Sequence, residues 1–215
     1  MGFTMKGWAA VVVFAAGLGL SPAAVRAQGL PVGTVGLGAG GSFGSMVGDS
    51  WYGNKFSTGG GFNLLLRYTA TRHLSVGLNF QNQSYSGKGA LLREENTDTP
   101  INDLVMTTYE AAFLFFRNRN ADASQYASLT LGFYRPELRI GDSDTVFPGG
   151  NVMFSGGLGV ELYLKENWAI DLQGRAIGYL GDDIAPGQED ETNPPGNNLS
   201  FGLHAQAAII YFILK

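Results

Sequence analysis

His73 and Ser75 stand two residues apart in Arg72-His73-Leu74-Ser75. An imidazole and a hydroxyl on one face of a strand are the beginning of an acyl-transfer site. A nucleophilic serine also needs a carboxylate to orient its histidine, and none is adjacent, so the pair reads as the polar flank of a turn. Gly36-Leu37-Gly38-Ala39-Gly40-Gly41 fits the dinucleotide pattern G-x-G-x-x-G. That fingerprint opens a helix, whereas here a loop with Trp51 and Tyr52 and then another strand follow, which excludes the nucleotide reading. His204, alone on its face, reads as a hydrogen-bonded histidine rather than a metal ligand. The chain has no Cys, which removes disulfides, thiolate metal sites and cysteine nucleophiles. No cofactor or metal is expected. What remains is a small set of charges inside apolar runs: Arg67, Glu110, Glu161, Asp171 and Arg175.

The elements that must position these charges all show the same period. After Gln28 no stretch has apolar residues at helical spacing, while alternation with period 2 recurs eight times. The runs cover about Thr34–Phe43, Gly61–Thr69, Leu74–Gln83, Leu104–Phe115, Ala127–Tyr134, Val152–Leu164, Trp168–Leu180 and Leu199–Ile213. Glycine numbers 32 of 215 residues, about twice the usual share, and charged residues at 15% fall below the usual ~25%. A chain that is 45% apolar and 12% aromatic is not disordered. Its 14 Lys and Arg against 18 Asp and Glu leave no basic footprint for nucleic acid. Residues 1–27 hold Lys6, an apolar run from Gly7 to Leu20 and the tripeptide Val25-Arg26-Ala27. This predicts a secretory signal peptide cut before Gln28, because the run is shorter than the ~20 residues that span a bilayer. One domain, residues 28–215, is left.

Connections between the runs alternate in length. Short ones lie at Ala70–Arg72, Asn118–Ser124 and Lys165–Asn167; long polar ones lie at about Ser45–Ser57, Ser86–Asn102, Gly141–Asn151 and Gly181–Asn198. An even number of antiparallel strands, with short turns at one end and long loops at the other, predicts an all-β, eight-stranded, up-and-down transmembrane barrel. One face of the runs is free of charge, and the other holds Arg67, Glu110, Glu161, Asp171, Arg175 and many glycines. A soluble barrel would turn the apolar face inward, so the charged face is expected to line the lumen. Aromatics fall where membrane girdles belong: Tyr68, Trp168 and Tyr211 near the short turns, and Phe43, Phe80, Phe133 and Phe201 toward the loops. Pairing across Lys165–Asn167 sets Glu161 opposite Asp171, and like charges opposed destabilise a sheet. Arg175 and Arg67 are expected to intervene, with Glu110 as a further acceptor, in a salt-bridged plug. The inward glycines argue for open space instead.

As a whole the mature chain resembles the small eight-stranded outer-membrane barrels of Gram-negative bacteria, the transmembrane part of OmpA and the OmpX-like barrels. The resemblance lies in strand count and loop asymmetry. Two departures are that no peptidoglycan-binding half follows the last strand, and that the chain ends Tyr211-Phe212-Ile213-Leu214-Lys215 rather than on an aromatic residue. The resemblance implies a monomer in the cell outer membrane, folded by the barrel assembly machinery, in contact with outer-membrane lipid and lipopolysaccharide and presenting its loops to an extracellular ligand. Those loops carry Asp49, Glu94, Glu95, Asp98, Asp142, Asp144, Asp182, Asp183, Glu189, Asp190 and Glu191 against Lys55, Lys88 and Arg93. Such an acidic rim suits solvation or cation bridging to lipopolysaccharide phosphates. Arg135 and Arg139, above the apolar band, are candidate direct contacts to the same phosphates. The expectation is a structural or interaction protein without enzymatic turnover. A small passive channel and a lipid-modifying enzyme are the alternatives.

Overall fold

Period-2 sequences make strands, and the structure joins them edge to edge. The computed structural model describes residues 30–48, 51–88, 91–94, 97–119, 122–140, 143–146, 151–165, 167–182 and 197–213. The expected signal peptide and most of the acidic loop residues lie outside them. The elements are β1 (Val35–Val47), α1 (Trp51–Lys55), β2 (Phe56–Thr69), β3 (Leu74–Gly87), β4 (Leu91–Glu94), β5 (Thr97–Phe116), β6 (Ala123–Ile140), β7 (Ser143–Val146), β8 (Asn151–Lys165), β9 (Trp168–Asp182) and β10 (Asn197–Ile213). Every pairing is antiparallel. Around the wall the order is β1, β2, β3, β5, β6, β8, β9 and β10, and β10 returns to β1 through thirteen residue pairs from Val35↔Ile213 to Val47↔Phe201. This is a closed eight-stranded barrel. The strands run further than the alternation predicts at the loop end, because β5 and β6 continue past the wall. There β4 pairs with the end of β5, and β7 takes the edge of β6 that β8 leaves, while β5 and β6 stay paired with each other as far as Ile101↔Ile140.

Local chemistry sets the short turns. In the β2–β3 turn the Thr71 hydroxyl accepts the backbone N–H groups of His73 (3.2 Å) and Leu74 (3.0 Å). Before β1, Gly33 at φ +90°, where a side chain would be strained, turns the chain so that its N–H reaches the Thr69 carbonyl at 2.8 Å. The described chain therefore starts and ends at the short-turn end.

Burial is inverted relative to a soluble protein. Leu64, Leu78, Leu129, Leu131, Leu158 and Ile209 point outward and are exposed, whereas Arg67, Glu110, Arg119, Glu161, Asp171 and Arg175 are buried inside. Two aromatic belts bound the outer apolar band. Trp168 and Tyr211 meet at 4.9 Å near the short turns, and toward the loops Phe62, Phe80 and Tyr109 follow at 5.9 and 5.3 Å. A greasy outer wall between amphipathic belts is the arrangement that matches a bilayer.

The inward glycines do not leave the lumen open, contrary to the space argument. Three of them make room for a ring: the Phe212 ring lies over Gly36, the Tyr126 ring over Gly159 and the His204 ring over Gly44. In each case the ring belongs to the glycine's register partner on the adjacent strand, so one strand's bulk is matched by its neighbour's lack of a side chain. Gly159→Ala should therefore displace the buried Tyr126 ring and destabilise the barrel by about 1–3 kcal/mol. Gly174→Ala, whose new methyl meets nothing within 4 Å, should be neutral. Urea unfolding of the refolded variants in detergent checks the contrast.

Candidate functional site

The lumen is where the sequence concentrates its charges, and its layers follow from which inward positions fall at which height. In the register Glu161 of β8 sits opposite Asp171 of β9. Arg67, reaching across from β2, bonds both: one terminal nitrogen goes to Glu161 and the other to Asp171 at 2.8 Å. Two phenols complete the coordination of the carboxylates. Tyr163 donates to Glu161 Oε2 and Tyr126 to Asp171 Oδ1, each at 2.6 Å, so all four carboxylate oxygens are engaged. The Arg67 guanidinium also lies 5.6 Å from the Tyr126 ring centroid.

Arg175 does not join that clamp, which corrects the expected pairing. From four residues further along β9 it reaches Glu110 of β5 at 2.5 and 3.0 Å and also bonds Gln81 of β3. Glu110 is thus its principal acceptor rather than a third one. Arg119, a residue of the short turn after β5, folds into the lumen. Its guanidinium lies 3.8 Å from the Phe116 ring centroid, donates to Ser75 Oγ at 2.8 Å and stands 3.9 Å from Glu161. No periodicity marks a turn residue that folds inward. Tyr126 and Tyr163 were findable, since they share the parity of the carboxylates they bond.

Neutral polar side chains lie between and beside the two charged groups, with Gln173 between Asp171 and Arg175 on β9 and His204 the register partner of Arg175. Gln206 donates to Gln173 and Gln173 to Ser128, each at 2.6 Å, and Thr130 meets Ser155 at 2.7 Å. His204 Nε2 is 2.6 Å from the Tyr85 hydroxyl and its Nδ1 is 3.3 Å from Gln81. Apolar layers close both ends. At the loop end Met46, Tyr52, Phe56, Tyr85, Leu104, Met106, Tyr134, Leu138, Met153, Ile177 and Tyr179 form one buried cluster. Phe56 points inward because a register shift between Phe56 and Gly59 flips its parity, and α1 brings Tyr52 down beside it at 6.4 Å. At the other end Leu30, Leu65, Ile210 and Phe212 cluster with Tyr163.

Ser75 and His73 engage different partners, Arg119 and the Phe116 carbonyl (3.2 Å), so no nucleophile–base pair forms. Among the described residues no three His, Asp or Glu side chains gather as a metal site. Arg135 and Arg139 are exposed on the outer face of β6, beyond the belt residue Phe133.

No family model and no curated protein matches the chain. Solved structures do. Ail, the attachment invasion locus protein of Yersinia pestis, superposes with a TM-score of 0.51 at 15% identity, over 85% of this chain and 100% of that one. It has also been solved with the heparin analogue sucrose octasulfate. Neisserial surface protein A gives 0.52 at 14% identity over 83% and 95%, and the outer membrane protein OprG from Pseudomonas aeruginosa gives 0.52 at 12% over 88% and 100%. At these identities the likeness is one of fold, that of the small eight-stranded outer-membrane barrels.

Removing Arg67 leaves two buried carboxylates face to face, so Arg67→Ala should cost about 3–5 kcal/mol of stability. Glu161→Gln added to it should recover part of the loss. The same Glu161→Gln in an Arg175→Ala background should recover nothing, because the clamp is intact there. Unfolding midpoints in detergent read all three.

Proposed function

We propose that the chain is an outer-membrane barrel with a structural or interaction role, exported by a cleaved signal peptide, presenting its long acidic loops outside and catalysing no turnover. The observation that carries this reading is the filled lumen: two ion-paired groups interleaved with neutral polar side chains lie between two apolar clusters. A conducting path would need continuous water, and the clusters around Phe56 and Phe212 are mostly apolar, with only tyrosine hydroxyls as side-chain partners. The outer belts and the charge-free band support the membrane setting. Separation of His73 from Ser75 speaks against a lipid-modifying enzyme. The loops' chemistry limits the partner. Ail was solved with a sulfated sugar, whereas an acidic rim repels polyanions and favours cationic or cation-bridged ligands.

A small passive channel stays as the second reading on one observation. Asn63 is buried with neither amide atom bonded, and Ser124 and Ser200 hydroxyls are likewise unpaired, which are places for lumen water. Arg135 and Arg139 fit lipopolysaccharide phosphates at the outer leaflet, since both project outward just above the belt.

Planar-bilayer recordings of the refolded protein should show no steady current; steady conductance by the wild type would replace the interaction reading with the channel. Reversing both outer cations, Arg135→Glu with Arg139→Glu, should lower the lipopolysaccharide that co-purifies with the barrel several-fold, with heat-modifiable gel migration unchanged.

A further inference from the structure

The outer wall carries a depression that the belts do not account for. Phe115, Ala127 and Leu158 stand in one row across β5, β6 and β8, with Ala127 the register partner of both flanking residues. A methyl between a benzyl and an isobutyl group leaves a trough, and a shallow depression of about 390 Å³, open to the outside, lies there. One pleat nearer the short turns, roughly 7 Å away, the Arg117 backbone N–H bonds the Gln125 carbonyl at 3.0 Å. That pairing sets two exposed polar side chains at the trough's open end, and both line the same depression. Phe115 belongs to the height of the lower belt, so Arg117 stands at headgroup level.

The geometry points to a binding site for one glycerophospholipid of the leaflet at the short-turn end. Its acyl chain lies over Ala127 between Phe115 and Leu158, and its phosphate is held by Arg117 with Gln125 donating beside it. The site rests on the reading of the barrel as membrane-embedded. An aliphatic trough that ends in a cation and an amide matches an acyl chain joined to a phosphodiester. An added peptide strand does not fit, because both edges of all three strands are already paired along this row. Lipopolysaccharide belongs to the opposite end of the wall, where Arg135 and Arg139 lie.

Wild type, Arg117→Ala, Ala127→Phe and the control Arg72→Ala, a cation at another short turn, are refolded into vesicles of phosphatidylethanolamine and phosphatidylglycerol. After extraction in mild detergent, native mass spectrometry counts the phospholipids retained, and gel migration before and after boiling reports insertion separately. The wild type and Arg72→Ala should keep one phospholipid. Retention should fall about fivefold or more in Arg117→Ala, as expected for losing one interfacial cation, and likewise in Ala127→Phe, which fills the trough. Equal retention in all four, no retained lipid in an inserted wild type, or displacement of the phospholipid by added lipopolysaccharide overturns the site while the membrane reading stands. Failure of the wild type to insert overturns that reading and the site with it.

Discussion

A backbone in hydrocarbon has no water to bond, so each amide and carbonyl must find its partner within the chain. The fold depends on this constraint. It is met by joining β1 to β10 and β5 to β6, which leaves the wall without a free edge. Closure with eight strands then forces every second residue into a narrow interior and the others onto the outer wall. Where the chain passes beyond the wall the demand relaxes, and the long strands β5 and β6 end in hairpins with β4 and β7.

Inside so narrow a space a charge needs a partner at close range. Among the described residues the lumen holds Arg67, Arg119 and Arg175 against Glu110, Glu161 and Asp171, three of each sign. The bonds run between walls rather than along them. Arg67 ties β2 to β8 and β9, and Arg175 ties β9 to β3 and β5. Glu161 and Asp171 would repel if left alone, and one planar guanidinium spanning both converts the repulsion into a cross-link. A buried ionic group is weak support for stability as such, because apolar substitutes can match it. Its bonds do specify which strands face each other across the lumen.

With the interior filled, the surfaces left for contact are the loops and the wall itself. The wall is uneven. Aromatic belts mark two heights, and near the lower one Ala127, flanked by Phe115 and Leu158, leaves a trough. Glycines on both faces receive rings, Gly36, Gly159 and Gly44 inside from Phe212, Tyr126 and His204 and Gly178 outside from Phe154, while a methyl at Gly174 would meet nothing.

Strand number, the inward and outward faces, the belts and the opposition of Glu161 to Asp171 were legible in the sequence. Each follows from a period of two and from turn lengths, which are local properties. The sequence could not say that Arg175 would take Glu110, because that choice depends on how far each wall stands from its opposite, a distance set by closure. Nor could it place Arg119 in the lumen or turn Phe56 inward. The first is a turn residue with no period to read, and the second depends on a register shift that breaks the parity. Whether the inner glycines meant space or contact was likewise decided by the tertiary structure. A glycine records only what its own wall lacks, and the ring that fills the gap comes from another strand.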